Sequence, residues 1–175
     1  MTTPLIEKAS QIRILITDVD GVMTDGGLLF DPQGKEYKRF NSLDGHGIRM
    51  LLDNGIEAAV ITGRESAVVS QRMRELGVNH VYQGQQIKLQ ALNELLANIG
   101  LDAAQACYIG DDLPDLPVMR RVGLSVAVPN AHDFVKQHCD WVTTSRGGHG
   151  AVREVTDFIL DAQGKLKAQQ IRYLE

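Results

Sequence analysis

Apolar and polar positions follow two different periods along the chain. Short runs rich in β-branched residues at 12–17 (IRILIT), 57–61 (EAAVI), 80–83 (HVYQ), 106–109 (ACYI), 124–128 (LSVAV) and 141–143 (WVT) predict strands. Between them, Ser66–Leu76, Lys88–Ile99, Leu113–Arg121, Ala131–His138 and Ala151–Ala162 carry helical spacing, several of them closed by Gly77, Gly100, Gly123 and Gly164. Strand and helix in alternation predict an α/β fold, a mostly parallel sheet sandwiched by helices. One domain is expected over 1–175, with a C-terminal helix and tail over about 151–175.

One segment breaks the alternation. Residues 27–40 read as two short strands around the turn DPQG, which predicts a projecting hairpin. Leu28, Phe30, Tyr37 and Phe40 would give it an apolar face, either a contact between subunits or a surface folded onto its own domain.

Composition narrows the function. At 43% apolar residues the chain can bury a single core, and a net charge of -4 gives no broad attraction for nucleic acid or anionic lipid. The expected partner is a small molecule, bound by local charge. No stretch has the length of a membrane span and the N-terminus lacks an apolar leader, so the expected location is the cytoplasm. Cys107 and Cys139 lack metal-site spacing and read as reduced thiols.

The chemistry is concentrated at strand ends. The first strand runs into Asp18-Val19-Asp20, and in extended chain side chains two apart point the same way. Two adjacent carboxylates repel, so the pair calls for Mg²⁺ or for split pKa values. Asp18 is then the nucleophile toward phosphorus, and Asp20 the acid that protonates the leaving oxygen and later activates water. A lone pair of this kind would read as a solvated acidic loop, but three further signals accompany it. The second strand ends in VITGR, which puts the Thr62 hydroxyl at a helix start where phosphate binds readily. Lys88 opens the third helix. The fourth strand runs into Asp111, Asp112 and Asp115, with Asp111 a hard oxygen ligand and Asp112 or Asp115 holding metal-bound water or orienting Lys88.

DVDGVMTD, ITGR, Lys88 and GDDLPD, in this order, resemble the four motifs of the haloacid dehalogenase superfamily of phosphatases. The resemblance implies a Rossmann-like fold of that type, with Mg²⁺ bound by the side chains of Asp18 and Asp111 and the backbone carbonyl of Asp20. Only 41 residues separate Asp20 from Thr62 and 21 separate Lys88 from Gly110, so neither gap holds a cap domain. Within the capless branch, DVDGVMTDGGL, the hairpin, FNSLDGHGIRML, TGRES and SRGGHGAVRE are similar to the family of 3-deoxy-D-manno-octulosonate 8-phosphate phosphatases.

That similarity implies a homotetramer in which the hairpin of one subunit lids the site of a neighbour, and a role in lipopolysaccharide synthesis. It further implies a substrate pocket lined by Asn41, Ser42, Leu43, Asp44 and Gly45, with Arg49, Arg64 and Arg72 reaching the sugar acid. Arginine forks suit carboxylates, though each of these arginines also fits a solvated helix face. The loop 146–150 reads as an anion nest or simply as a turn, and His46 and His149 as site residues or as solvent-facing ones. Three rivals stand beside this reading: a nine-carbon sugar-acid 9-phosphate phosphatase, a phosphotransferase, and a non-catalytic oligomerisation module. The complete set of Asp18, Asp20, Thr62, Lys88 and Asp111 argues against the last.

Overall fold

Ile14–Thr17 (β1) and Ala106–Gly110 (β6) are buried along their whole length, which is why both read as continuous apolar runs. Around them a computed structural model describing residues 2–174 places Glu57–Ile61 (β4), His80–Tyr82 (β5), Leu124–Ala127 (β7) and Trp141–Val142 (β8). Met1 and Glu175, which the domain expected over 1–175 includes, lie outside the described residues. The six strands form one sheet in the order β5-β4-β1-β6-β7-β8, every pairing parallel. Ile14, Leu15 and Ile16 are at most 1% exposed, each side chain contributing about 1.5–3 kcal/mol of burial.

Two groups of helices cover the sheet. Thr3–Ser10 (α1), Ser42–Asp53 (α2), Ala151–Ala162 (α7) and Leu166–Ile171 (α8) pack together, and Ala67–Leu76 (α3) touches α2. Lys88–Ile99 (α4) packs on Leu116–Met119 (α5) and on β4; Asp133–Lys136 (α6) is a single turn. The α/β expectation therefore holds, and among the described residues no cap interrupts the core.

Several boundaries differ for local reasons. The helix expected over Leu113–Arg121 is a 3-10 turn at Leu113–Asp115 followed by the short α5, because Pro117 lacks the N–H that a continuous ladder needs. The helix expected over Ala131–His138 shrinks to α6, whose start is set by His132 Nδ1 accepting from Phe134 N at 3.1 Å. The first strand begins two residues later than expected, since Ile12 still donates to Ala9 at the end of α1. Helix α8 lies in the segment expected as a tail, and α1 in an N-terminal segment for which no element was expected.

The hairpin is real but short: Leu29–Phe30 (β2) pairs antiparallel with Glu36–Tyr37 (β3). Leu28, Leu29, Phe30 and Tyr37 are exposed. Phe40, expected on that apolar face, instead packs against the core, 6.0 Å from the Arg72 guanidinium.

Candidate active site

The chain order of the strands makes the site. From β1 the chain moves outward through β4 and β5, then returns to β6 on the other side, so connections diverge between β1 and β6. Open parallel sheets bind ligands at the carboxyl ends of the strands at such a point. Asp18 follows β1, and its N–H still donates to Ile109 of β6 at 3.0 Å. A cleft of about 220 Å³ opens there, lined by Asp18, Asp20, Thr62, Arg64, Lys88, Asp111 and Asp112 together with Gln85 and Gln86. A larger hollow of about 360 Å³ between α3 and β5 holds no carboxylate, so volume alone does not mark the site.

Gly21 allows the two acidic loops to meet. Its φ is +97°, and a Cβ there would lie 2.1 Å from Asp111 Oδ2. The loop behind it is pinned by Asn130, which donates to the Gly21 carbonyl at 2.9 Å and accepts from Gly147 N at 2.8 Å. Gly147 in turn lies so close that a Cβ would collide with the Gly21 carbonyl. The N–H groups of Gly147, Gly148 and His149 are all spent on protein acceptors, so these three serve close packing of the loop.

Lys88 is 5% exposed, its Nζ 2.6 Å from Asp115 Oδ1 and 3.1 Å from Asp18 Oδ1. Asp115 is fully engaged: Oδ1 also accepts from the Tyr108 hydroxyl at 2.7 Å, and Oδ2 from the N–H groups of Asp111 and Asp112. It orients Lys88 and braces the acidic loop. Oxygens of Asp18, Asp111 and Asp115 lie within 4.8 Å of one another. With Asp115 satisfied, Asp18 and Asp111 are left to hold an ion. Among the described residues Asp18 Oδ1 and Asp111 Oδ1 are buried without a hydrogen-bond partner, the Lys88 contact to Asp18 being an ion pair without hydrogen-bond geometry. Unpartnered hard oxygens of this kind fit a divalent cation such as Mg²⁺.

Arg64 reaches the cleft, its Nε 3.5 Å from Asp20 Oδ2 and a terminal nitrogen 2.9 Å from Glu36. The other expected pocket residues do not line it. Asn41 caps α2 by accepting from Leu43 N, and with Ser42 it borders a separate hollow beside Gly148 and His149. Leu43 is exposed. Asp44 is buried and accepts from Arg153 N at 2.8 Å; burial raises its pKa, while the Arg153, Gly150 and Val152 N–H groups oppose the rise. It is spent on the first turn of α7, where free N–H groups and the helix dipole favour a carboxylate. Gly45 gives room to the Arg72 guanidinium, Arg72 turns toward Glu75, and Arg49 donates to the Leu76 carbonyl at the end of α3. His46 and His149 are exposed outside the cleft. Lys38, Tyr108 and the two glutamines were not anticipated; a tyrosine inside a wholly buried strand does signal a buried partner for its hydroxyl.

Comparison with known proteins decides the family. Residues 78–155 match the family model for haloacid dehalogenase-like hydrolases. The 3-deoxy-D-manno-octulosonate 8-phosphate phosphatase KdsC of Yersinia pestis is 52% identical over 93% of this chain and 87% of its own, and the Escherichia coli K12 protein of the same name is 49% identical over 95% and 88%. The chain belongs to this family of haloacid dehalogenase-like phosphatases. A Moraxella catarrhalis family member, solved with magnesium, phosphate and KDO, superposes with a TM-score of 0.97 at 41% identity, covering 99% of each chain. A Yersinia pestis structure superposes at 0.94 with 50% identity, covering 95% of this chain and 90% of its own.

For a member of this family the charge balance of the carboxylate cluster predicts a linked metal and proton equilibrium. Burial, followed by the Asp18 and Asp115 charges, pushes Asp111 up to about 8; burial, with Asp115 adding and Lys88 opposing, pushes Asp18 up to about 6. The metal-free folded chain thus binds more protons than the unfolded one, and these two groups lower stability as pH rises through 6 and 8. A bound cation displaces those protons. The rise in Tm produced by Mg²⁺ is expected to grow between pH 6 and 8.5, with affinity increasing up to about tenfold per pH unit for each proton released. Calorimetric titration at several pH values checks this; a pH-independent affinity would contradict it.

Proposed function

We propose that the protein is a Mg²⁺-dependent phosphomonoester hydrolase that converts 3-deoxy-D-manno-octulosonate 8-phosphate to 3-deoxy-D-manno-octulosonate and phosphate. The observation that carries this is the convergence of Asp18, Asp20, Thr62, Lys88 and Asp111 on one cleft, in a chain half identical to phosphatases of that name. The Moraxella catarrhalis neighbour, holding the eight-carbon acid, favours that substrate over the nine-carbon rival.

Asp18 attacks phosphorus, forming the aspartyl-phosphate bond as the bond to the leaving oxygen breaks, and Asp20 delivers a proton to that oxygen. Asp20, now ionised, takes a proton from water, which cleaves the aspartyl phosphate and frees Asp18. Lys88 offsets charge on Asp18 and on the transferring phosphoryl group, while Thr62 holds a phosphoryl oxygen. The Asp18 and Asp111 side chains and the Asp20 carbonyl would hold Mg²⁺, with Asp112 nearby, and a bound Mg²⁺ would supply positive charge against the phosphate. Arg64 is the one expected arginine in the cleft, and we assign it to the substrate's anionic groups.

The whole chain is taken as one catalytic domain. The exposed Leu28, Leu29, Phe30 and Tyr37 support a homotetramer in which each hairpin lids a neighbouring site. No helix among the described residues is long and apolar enough to cross a membrane, which accords with work in the cytoplasm on a precursor of lipopolysaccharide.

Phosphate release from the eight-carbon and nine-carbon sugar-acid phosphates and from hexose phosphates, with and without Mg²⁺, tests the reading. The eight-carbon acid should be turned over with the highest kcat/KM. Preference for the nine-carbon acid would replace the substrate only, and absence of metal-dependent release from every compound would overturn the activity.

A further inference from the structure

The hairpin carries two charged side chains, Glu36 and Lys38, that have no part in the proposed chemistry. Alternation along β3 and beyond sends Tyr37 outward and turns Glu36 and Lys38 toward the domain. The Lys38 side chain is only 2% exposed, and its ammonium is hydrogen-bonded to Asp20 Oδ1 and lies 3.2 Å from Glu36 Oε1. Glu36 also accepts from Arg64 at 2.9 Å and from the Ser66 hydroxyl at 2.5 Å. A lysine this deeply buried is held there only by its carboxylate partners.

Asp20 has little else to hold it. Its Oδ2 is buried with no hydrogen-bond partner among the described residues, and Arg64 Nε stands 3.5 Å away, beyond a good bond. Among the described residues, the single hydrogen bond that orients this carboxylate therefore comes from the hairpin. The hairpin is built to deliver it: Asp31 closes its turn by accepting from Gln33 N at 3.0 Å and Lys35 N at 2.8 Å, and Phe30 lies 6.0 Å from the Arg64 guanidinium.

We propose that Lys38 is a positioning residue for Asp20, so that docking the hairpin on its own domain and aiming the general acid are one event. The proposal rests on the reading of Asp20 as the acid that protonates the leaving oxygen. It makes a distinction that a merely structural lysine would not. Protonation matters when the leaving group is an alkoxide, and matters little when it is a stabilised phenolate.

The test compares wild type, Lys38→Met and Lys38→Arg at saturating Mg²⁺ on an alkyl phosphate, the eight-carbon sugar-acid phosphate, and on p-nitrophenyl phosphate. Lys38→Met should lose roughly 100-fold in kcat on the alkyl ester, the scale of a misplaced catalytic group, and less than about threefold on the aryl ester. Lys38→Arg should recover part of the alkyl activity. Equal losses on both esters, or none on the alkyl ester, would overturn the proposal. A crystal structure of metal-free Lys38→Met gives a readout independent of turnover. The Asp20 carboxylate should leave its wild-type rotamer while Asp18 and Asp111 stay in place, and an unmoved Asp20 would be fatal. If the wild type cleaves the aryl ester but no alkyl ester, the substrate reading fails, and the crystal comparison still decides the role of Lys38.

Discussion

Asp18→Asn is expected to lower kcat by at least about 10⁴-fold while leaving the metal-free fold as stable as the wild type or more so. An amide has almost the same shape as the carboxylate but cannot carry phosphorus through an aspartyl phosphate, so the first bond of the proposed reaction has nowhere to form. Stability moves the other way for an electrostatic reason. Asp18 is buried, and burial pushes its pKa up to about 6, so above that pH the folded chain carries a charge it accommodates poorly. Removing the charge also relieves Asp111, whose pKa is raised first by burial and next by Asp18. Lys88 keeps its shorter contact to Asp115 at 2.6 Å. Thermal melts at pH 8 without metal should show no loss in Tm, and added Mg²⁺ should raise the Tm of the variant less than that of wild type. A variant that melts well below wild type would mean that Asp18 contributes to the fold and not only to chemistry.

The sheet and the candidate site cluster were legible because both are written in local pattern. Ile14–Thr17 and Ala106–Gly110 are apolar runs long enough to name as strands, and the acidic residues follow them directly. Once the strands lie parallel, their ends share one edge, so Asp18, Thr62 and Asp111 meet without further information. What could not be read was which distant segment a polar side chain would choose. Asp44 sits beside Asn41 and Ser42 in the sequence, yet its carboxylate goes to the N–H of Arg153, 109 positions away. Lys38 looks like any charged residue of a hairpin strand until the hairpin's docking angle brings it to Asp20, 18 positions back. The short α5 was misjudged for a different reason: Pro114 and Pro117 suit helix starts, and their spacing allows two starts as well as one helix.

Lys88→Met should cost about 3–5 kcal/mol at pH 8, because it leaves buried carboxylates without their cation. For a chain of this size that is a fall in Tm of roughly 10 °C. Lys88 occupies the first turn of α4, where the helix dipole disfavours a positive charge, and the side chain is nearly inaccessible to water. Burial alone would lower its pKa, but Asp18 and Asp115 outweigh burial and raise it. Its contribution is therefore fully present at neutral pH and would be lost only as pH rises through that raised value. The deficit of the variant should shrink on acidification, since Asp111 and then Asp18 take up protons as pH falls through about 8 and about 6 and no longer need a counter-charge. Urea melts of both proteins at pH 5 and pH 8 measure this directly. A deficit of equal size at both values would assign the loss to packing of the lysine stem, and Lys88 would then be a core residue first and a counter-ion second.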